Sequence, residues 1–283
     1  MKFTFKSALA TLLLTAMAGS VLAQTRAECE KDYRPQVGQA GKDVVWVPTP
    51  DEIVARMLGM AKVTPQDYVV DLGAGDGKIA IAAGKLGATA LGIEYNADMA
   101  KLAQCLVKAD KVGDKVKIIQ GDIFKEDFSK ATVVTMYLLP ELNLRLRPTI
   151  LAMKPGTRVT SHQFTMGDWE PDQTAEADYR TAYLWIVPAQ VAGTWSFRDA
   201  GGKGLFTANL AQKYQKISGD VTQGSAKQPL VGASLRGEEM RFAFNDEKGV
   251  TRTLQGTVKG NEFTGNLRAP DGTETRVAGT RKP

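Results

Sequence analysis

The chain has 283 residues, 43% of them hydrophobic and 24% charged, with a formal net charge of +5. That composition excludes a largely disordered chain, a collagen-like repeat and a disulfide-dense miniprotein. Two cysteines, Cys29 and Cys105, and a single histidine, His162, cannot supply a four-ligand zinc site, so no metal is expected. No Gly-x-Ser-x-Gly motif accompanies His162, which argues against a Ser-His-Asp hydrolase.

The first 23 residues read as an address. Lys2 and Lys6 precede an apolar run from Ala8 to Ala18, and Val21-Leu22-Ala23 places small residues before Gln24. This is the pattern of a cleaved secretory signal peptide, predicting export, to the periplasm in a bacterium. The alternative is an uncleaved N-terminal anchor, against which the shortness of the run counts. No later segment is apolar enough to span a bilayer. The mature chain has 260 residues and a net charge of +3. Cys29 and Cys105 are read as two unrelated thiols, because nothing in the sequence brings them together.

Residues 24–44 form an N-terminal extension. Thr49-Pro50-Asp51-Glu52 then predicts a helix start, with Thr49 as cap, Pro50 in the first helical position and Glu52 closing a capping box. Ile53, Val54, Met57, Leu58 and Ala61 form its apolar stripe. Strands are predicted over 68–72, 89–94, 116–120, 132–139, 158–164 and 182–187. Helices are predicted from Gly77 to about Leu86 and from Asn96 to Lys111, and another opens at Pro140 and is interrupted at Pro148. Apolar strands alternating with amphipathic helices predict a doubly wound, mostly parallel α/β sheet of Rossmann-like type over residues 45–187. Trp46, Trp169 and Trp185 are read as core or pocket-wall residues.

Composition changes near residue 188. Residues 188–283 hold 14 of the 28 glycines and carry a net charge of +5. Phe242 and Phe244 alternate with polar neighbours, as do Leu254 with Val258 and Phe263 with Leu267. Seven short strands between Gly, Asn and Asp turns predict a small antiparallel barrel or sandwich.

Parallel sheets bind ligands beyond the carboxyl ends of their strands. Three polar features fall there. Asp71-Leu72-Gly73-Ala74-Gly75-Asp76-Gly77 follows the first strand, and its glycines permit close approach of a ligand. Glu94 ends the second strand, where a carboxylate accepts both hydroxyls of a ribose. Asp122 follows the third, placed to accept from an adenine amino group with Ile123 or Phe124 against the ring. Such a site suits NAD or S-adenosylmethionine. The Gly-x-Gly-x-Gly spacing lacks the third glycine of the dinucleotide fingerprint, Lys78 standing there instead. Asp71 would repel a diphosphate and suits a cationic amino group, which favours S-adenosylmethionine.

These segments, with Gly92-Ile93-Glu94 and Gly121-Asp122, resemble the class I S-adenosylmethionine-dependent methyltransferases. Val47-Pro48-Thr49-Pro50, Tyr137-Leu138-Leu139-Pro140 with Asn143, Lys154-Pro155-Gly156 and Ser161-His162-Gln163-Phe164 are similar to segments of small protein-lysine methyltransferases. The resemblance implies that Gly73, Gly75 and Gly77 line the methionine and ribose of the cofactor. Asp71 would face its ammonium, Glu94 its ribose, Asp122 and Ile123 its adenine, and Pro48 and Thr49 would close the site. Tyr137, Asn143 and His162 would bind or deprotonate the acceptor. It implies methyl transfer to an N nucleophile, on a protein lysine or a small molecule. The modest, scattered positive charge and the lack of an Asn/Asp-Pro-Pro-Tyr/Phe motif argue against a nucleic acid. The signal sequence and the β-rich tail depart from that family. The second reading is an exported binding protein on a methyltransferase fold, with the β domain contacting a partner.

Overall fold

The computed structural model describes residues 25–177 and 179–282. The proposed signal peptide lies outside the described residues. Among the described residues no helix is long and apolar enough to cross a membrane.

Two sheets organise the chain. The first contains β1 (Tyr68–Leu72), β2 (Thr89–Glu94), β3 (Val116–Gln120), β4 (Val133–Met136), β5 (Arg158–His162), β6 (Gln173–Ala177) and β7 (Arg180–Ile186). Their spatial order is β3-β2-β1-β4-β5-β7-β6. Strands β1 to β5 run parallel, whereas β7 is antiparallel to β5 and β6 to β7. The order reverses between β1 and β4, the topological switch point at which such sheets open a crevice. Helices α1 (Arg26–Cys29), α2 (Asp51–Met60), α3 (Lys78–Lys85), α4 (Ala97–Ala109) and α5 (Pro140–Leu151) surround this sheet. One core packs α2, α3 and α4 onto one set of strand faces, and a second gathers Val70, Leu72, Val134, Met136, Trp169 and Trp185 on the other.

The second sheet is wholly antiparallel. It holds β8 (Gly193–Asp199), β9 (Gly204–Lys213), β10 (Lys216–Gln223), β11 (Ala226–Pro229), β12 (Val231–Arg236), β13 (Glu239–Asn245), β14 (Thr251–Lys259), β15 (Glu262–Arg268) and β16 (Glu274–Lys282). The order is β11-β10-β9-β8-β16-β15-β14-β13-β12, so the two edges are consecutive in sequence. The Leu230 amide between them donates to the Gly219 carbonyl at 3.0 Å, and the sheet curls into a near-barrel. Trp195, Phe197, Phe242, Phe244 and Phe263 fill its interior.

Several expectations need correction. Thr49 does not cap α2; Pro50 is the N-cap and no side chain caps the helix, because the Thr49 hydroxyl is turned to His162 instead. Helix α5 continues through Pro148. That proline is exposed, and so is Leu144 four residues earlier, leaving the freed carbonyl within reach of water. Strand β5 stops at His162 because Gln163 takes a left-handed φ of 66°. Strands β6, β10 and β11 had no apolar alternation strong enough to announce them. Finally, Cys29 and Cys105 are not separate thiols: they form a disulfide, with Cα atoms 5.6 Å apart across 76 residues of sequence. The bond ties α1 to α4.

Candidate cofactor and acceptor site

The carboxyl ends of β1, β2, β3 and β4 surround one cavity of about 310 Å³. That is at the lower end of small-molecule sites, roughly 300–1,000 Å³. Asp71, Gly73, Gly75, Glu94, Asp122, Ile123 and Tyr137 all line it, with Pro48 and Thr49. The predicted cofactor residues are thus brought together from four strand ends. Gly77 stands behind them as the N-cap of α3, with φ 81°.

The glycine turn is shaped by close approach. Gly75 has φ 56°, and a Cβ there would lie 2.7 Å from the Trp46 indole nitrogen. Glu94 locks this turn to β2. Its Oε2 accepts from the Gly75 amide at 2.8 Å and its Oε1 from the Asn96 amide at 2.8 Å. Each carboxylate oxygen retains a lone pair for a ligand hydroxyl. Asp122 is anchored by the Phe124 amide at 3.0 Å and by Lys42 Nζ at 3.0 Å. Its carboxyl sits below the usual carboxylate range, first because of the Phe124 amide and then because of Lys42.

Asp71 is the opposite case. It is 2% exposed, and burial pushes its pKa up to about 7. The 2.7 Å bond from the Thr135 hydroxyl opposes that rise, while the negative charges of Asp76 and Glu94 add to it. A buried carboxyl lacking a cation is a natural counter-ion for an ammonium group. Three carboxylates in these positions and a glycine cradle fit an amino-acid-bearing adenosyl cofactor.

The other end of the cavity is aromatic. Tyr137 and Phe164 line it, their ring centroids 6.1 Å apart and nearly parallel. The His162 ring packs on Tyr137 at 3.9 Å. His162 itself is buried; its Nδ1 lies 3.2 Å from the Thr49 hydroxyl, and its Nε2 has no partner among the described residues. Burial, aided by the charge of Arg180, lowers its pKa to about 4, so it is neutral near pH 7. Asn143 does not line the cavity. Its side-chain amide donates to the carbonyls of Phe164 at 3.3 Å and Thr165 at 3.1 Å, holding the loop that carries Phe164.

That loop also meets the second sheet. Asp168 accepts from Arg147 at 2.7 Å and from the Tyr214 hydroxyl at 2.9 Å, and pairs with Lys213 at 3.0 Å. Lys213, Tyr214 and Arg147 hold its carboxyl far below the ordinary carboxylate range. Sequence reasoning gave Trp46 only as a core or pocket-wall residue and assigned no role to Lys42 or Asp168. Their partners are 29, 80 and 46 residues away, so no local spacing marks them.

A sheet reversing at β1/β4, with a glycine turn and successive carboxylates at its switch point, defines a class I nucleoside-cofactor methyltransferase. Residues 71–173 match the ANTKMT methyltransferase domain. A protein-lysine N-methyltransferase of Saccharolobus islandicus is 40% identical over 151 residues, covering 51% of this chain and 94% of that protein. A human ATP synthase lysine N-methyltransferase is 25% identical over 174 residues, covering 61% of this chain and 73% of that protein. An RNA methyltransferase from Salinibacter ruber, solved with S-adenosyl-L-homocysteine, is 46% identical with a TM-score of 0.50, covering 51% of this chain and 96% of that one. The chain belongs to the S-adenosylmethionine-dependent methyltransferase family that includes the Saccharolobus protein.

Proposed function

We propose that this methyltransferase is exported and methylates lysine side chains of proteins. The aromatic, carboxylate-free end of the cavity carries this reading: Tyr137 and Phe164 flank a passage suited to the aliphatic stem of a lysine. The names of the Saccharolobus and human relatives support it.

The bound cofactor supplies an electrophilic methyl group on a sulfonium. In this reading Asp71, Glu94 and Asp122 fix it by its ammonium, ribose and adenine, which leaves the methyl facing Tyr137. Displacement at the methyl is in line, so orienting the amine between Tyr137 and Phe164 is most of the catalysis. The amine must arrive uncharged. A neutral His162 places no positive charge beneath Tyr137, and the proton lost by the amine passes to solvent. Asn143 acts through the loop it holds.

The N-terminal pattern of Lys2, Lys6 and Ala8 to Ala23 supports export, and the Cys29–Cys105 disulfide agrees with an oxidising compartment. Fusing residues 1–30 to a reporter active only outside the cytoplasm tests this; a silent reporter contradicts it. For the acceptor, the mature protein is incubated with radiolabelled S-adenosylmethionine and either extract proteins or total RNA. Label recovered as methyl-lysine after acid hydrolysis supports the reading, whereas label in RNA alone contradicts it.

A further inference from the structure

Between the disulfide and α2, the chain crosses the mouth of the cofactor cavity. Residues 38–46 close on themselves there. The Gly38 amide donates to the Trp46 carbonyl at 2.8 Å, the Trp46 amide to the Gln39 carbonyl at 2.9 Å, and Ala40 bridges Val45. The Trp46 indole rests against Gly75. At the tip, Lys42 pairs with Asp122 and lies 4.5 Å from the centre of the Tyr95 ring. We propose that this strap is a working part of the cofactor site. Trp46 and Lys42 determine affinity for the adenosyl ligand, and the Cys29–Cys105 disulfide keeps the strap closed over it.

The strap's other attachments are weak. Arg26 approaches Asp76 at only 3.9 Å and is 54% exposed, and Lys42 is 35% exposed. Exposed pairs of this kind hold a flexible segment poorly. The disulfide is different in kind: it closes the segment covalently onto α4 and removes the entropy an untethered strap would gain on opening. A dithiol reductant breaks the S–S bond by delivering two electrons and two protons. Two thiols form on the protein, and the dithiol closes to its own disulfide. The strap then opens more often. Apparent affinity falls in proportion to the closed fraction, by about tenfold if that fraction drops from near one to near one in ten.

Titration calorimetry with S-adenosyl-L-homocysteine on the mature protein tests this, with and without dithiothreitol. Binding to the oxidised protein establishes the cofactor site independently of the strap. Reduction is expected to weaken binding by about tenfold. Cys29→Ser and Cys105→Ser should bind like the reduced protein and ignore the reductant. Trp46→Ala should weaken binding with the disulfide intact. Unchanged affinity on reduction, with circular dichroism showing the fold retained, overturns the role of the disulfide. Should the reduced protein unfold, oxidised Trp46→Ala decides: weakened binding supports the strap, and normal binding overturns it.

Discussion

The two sheets bury different interiors. The parallel sheet and its helices enclose Thr49, Asp71, Asp76, Thr135, Asn143, Thr160, Ser161 and His162, and among the described residues no polar or charged side chain beyond His162 is buried. The antiparallel sheet encloses aromatic and aliphatic side chains only. Burying a polar group without full compensation costs about 1–3 kcal/mol, so a core that retains several of them is sacrificing stability for chemistry. The second sheet makes no such sacrifice. It meets the site from outside, through Lys213 and Tyr214 on Asp168.

Substitutions in the two regions should therefore separate binding from stability. The largest effect on binding is expected at Glu94. Glu94→Ala strips the Gly75 and Asn96 amides of their carboxylate, and two such bonds at about 1.5–3 kcal/mol each imply at least a ~100-fold loss of S-adenosyl-L-homocysteine affinity. Calorimetry checks this; near-normal affinity would show that Glu94 is only a turn lock. The reverse pattern is expected at Phe197, which stacks with Phe206 and meets Phe242 and Phe263 edge-on. Phe197→Ala should cost about 3–5 kcal/mol in denaturant unfolding while leaving affinity in the folded protein unchanged.

Asp71 gives a pH signature confined to the first region. Its folded pKa of about 7 lies above its ordinary value of 3.8. The folded state therefore holds an extra proton between about pH 4 and 7, and this group's contribution to stability declines as pH rises through that window. An ammonium beside it favours the ionised form, so ligand affinity should rise with pH up to about 7, by at most about tenfold per unit, and then level off. Asp71→Asn should abolish both slopes. The smallest effect is expected where the regions meet. Tyr214→Phe removes one hydrogen bond from exposed Asp168 and should lower the melting temperature slightly, with a difference that shrinks in high salt.

The parallel sheet was legible because its signals are local. Strands β1, β2 and β3 begin and end where apolar runs do, and the residues that follow each are the polar ones that meet in the cavity. The antiparallel sheet was legible in type, through Phe242, Phe244, Leu254, Val258 and Phe263, but not in full. Strands β10 and β11 run Lys-Ile-Ser-Gly-Asp-Val-Thr-Gln and Ala-Lys-Gln-Pro, too polar to announce themselves except by pairing with β9 and each other. The disulfide, the Trp46 contact with Gly75 and the Thr49–His162 contact were illegible for a further reason. Each joins residues that only the completed fold brings together, and a threonine before a proline looks like a cap until a histidine 113 residues later claims its hydroxyl.

The most direct test of the account is a crystal structure of the mature protein with S-adenosyl-L-homocysteine. It predicts the ribose hydroxyls on Glu94, the adenine beside Asp122 and Ile123, the ammonium toward Asp71 and the sulfur facing Tyr137. A ligand bound elsewhere, or seated here with its adenine and amino-acid ends exchanged, would contradict it.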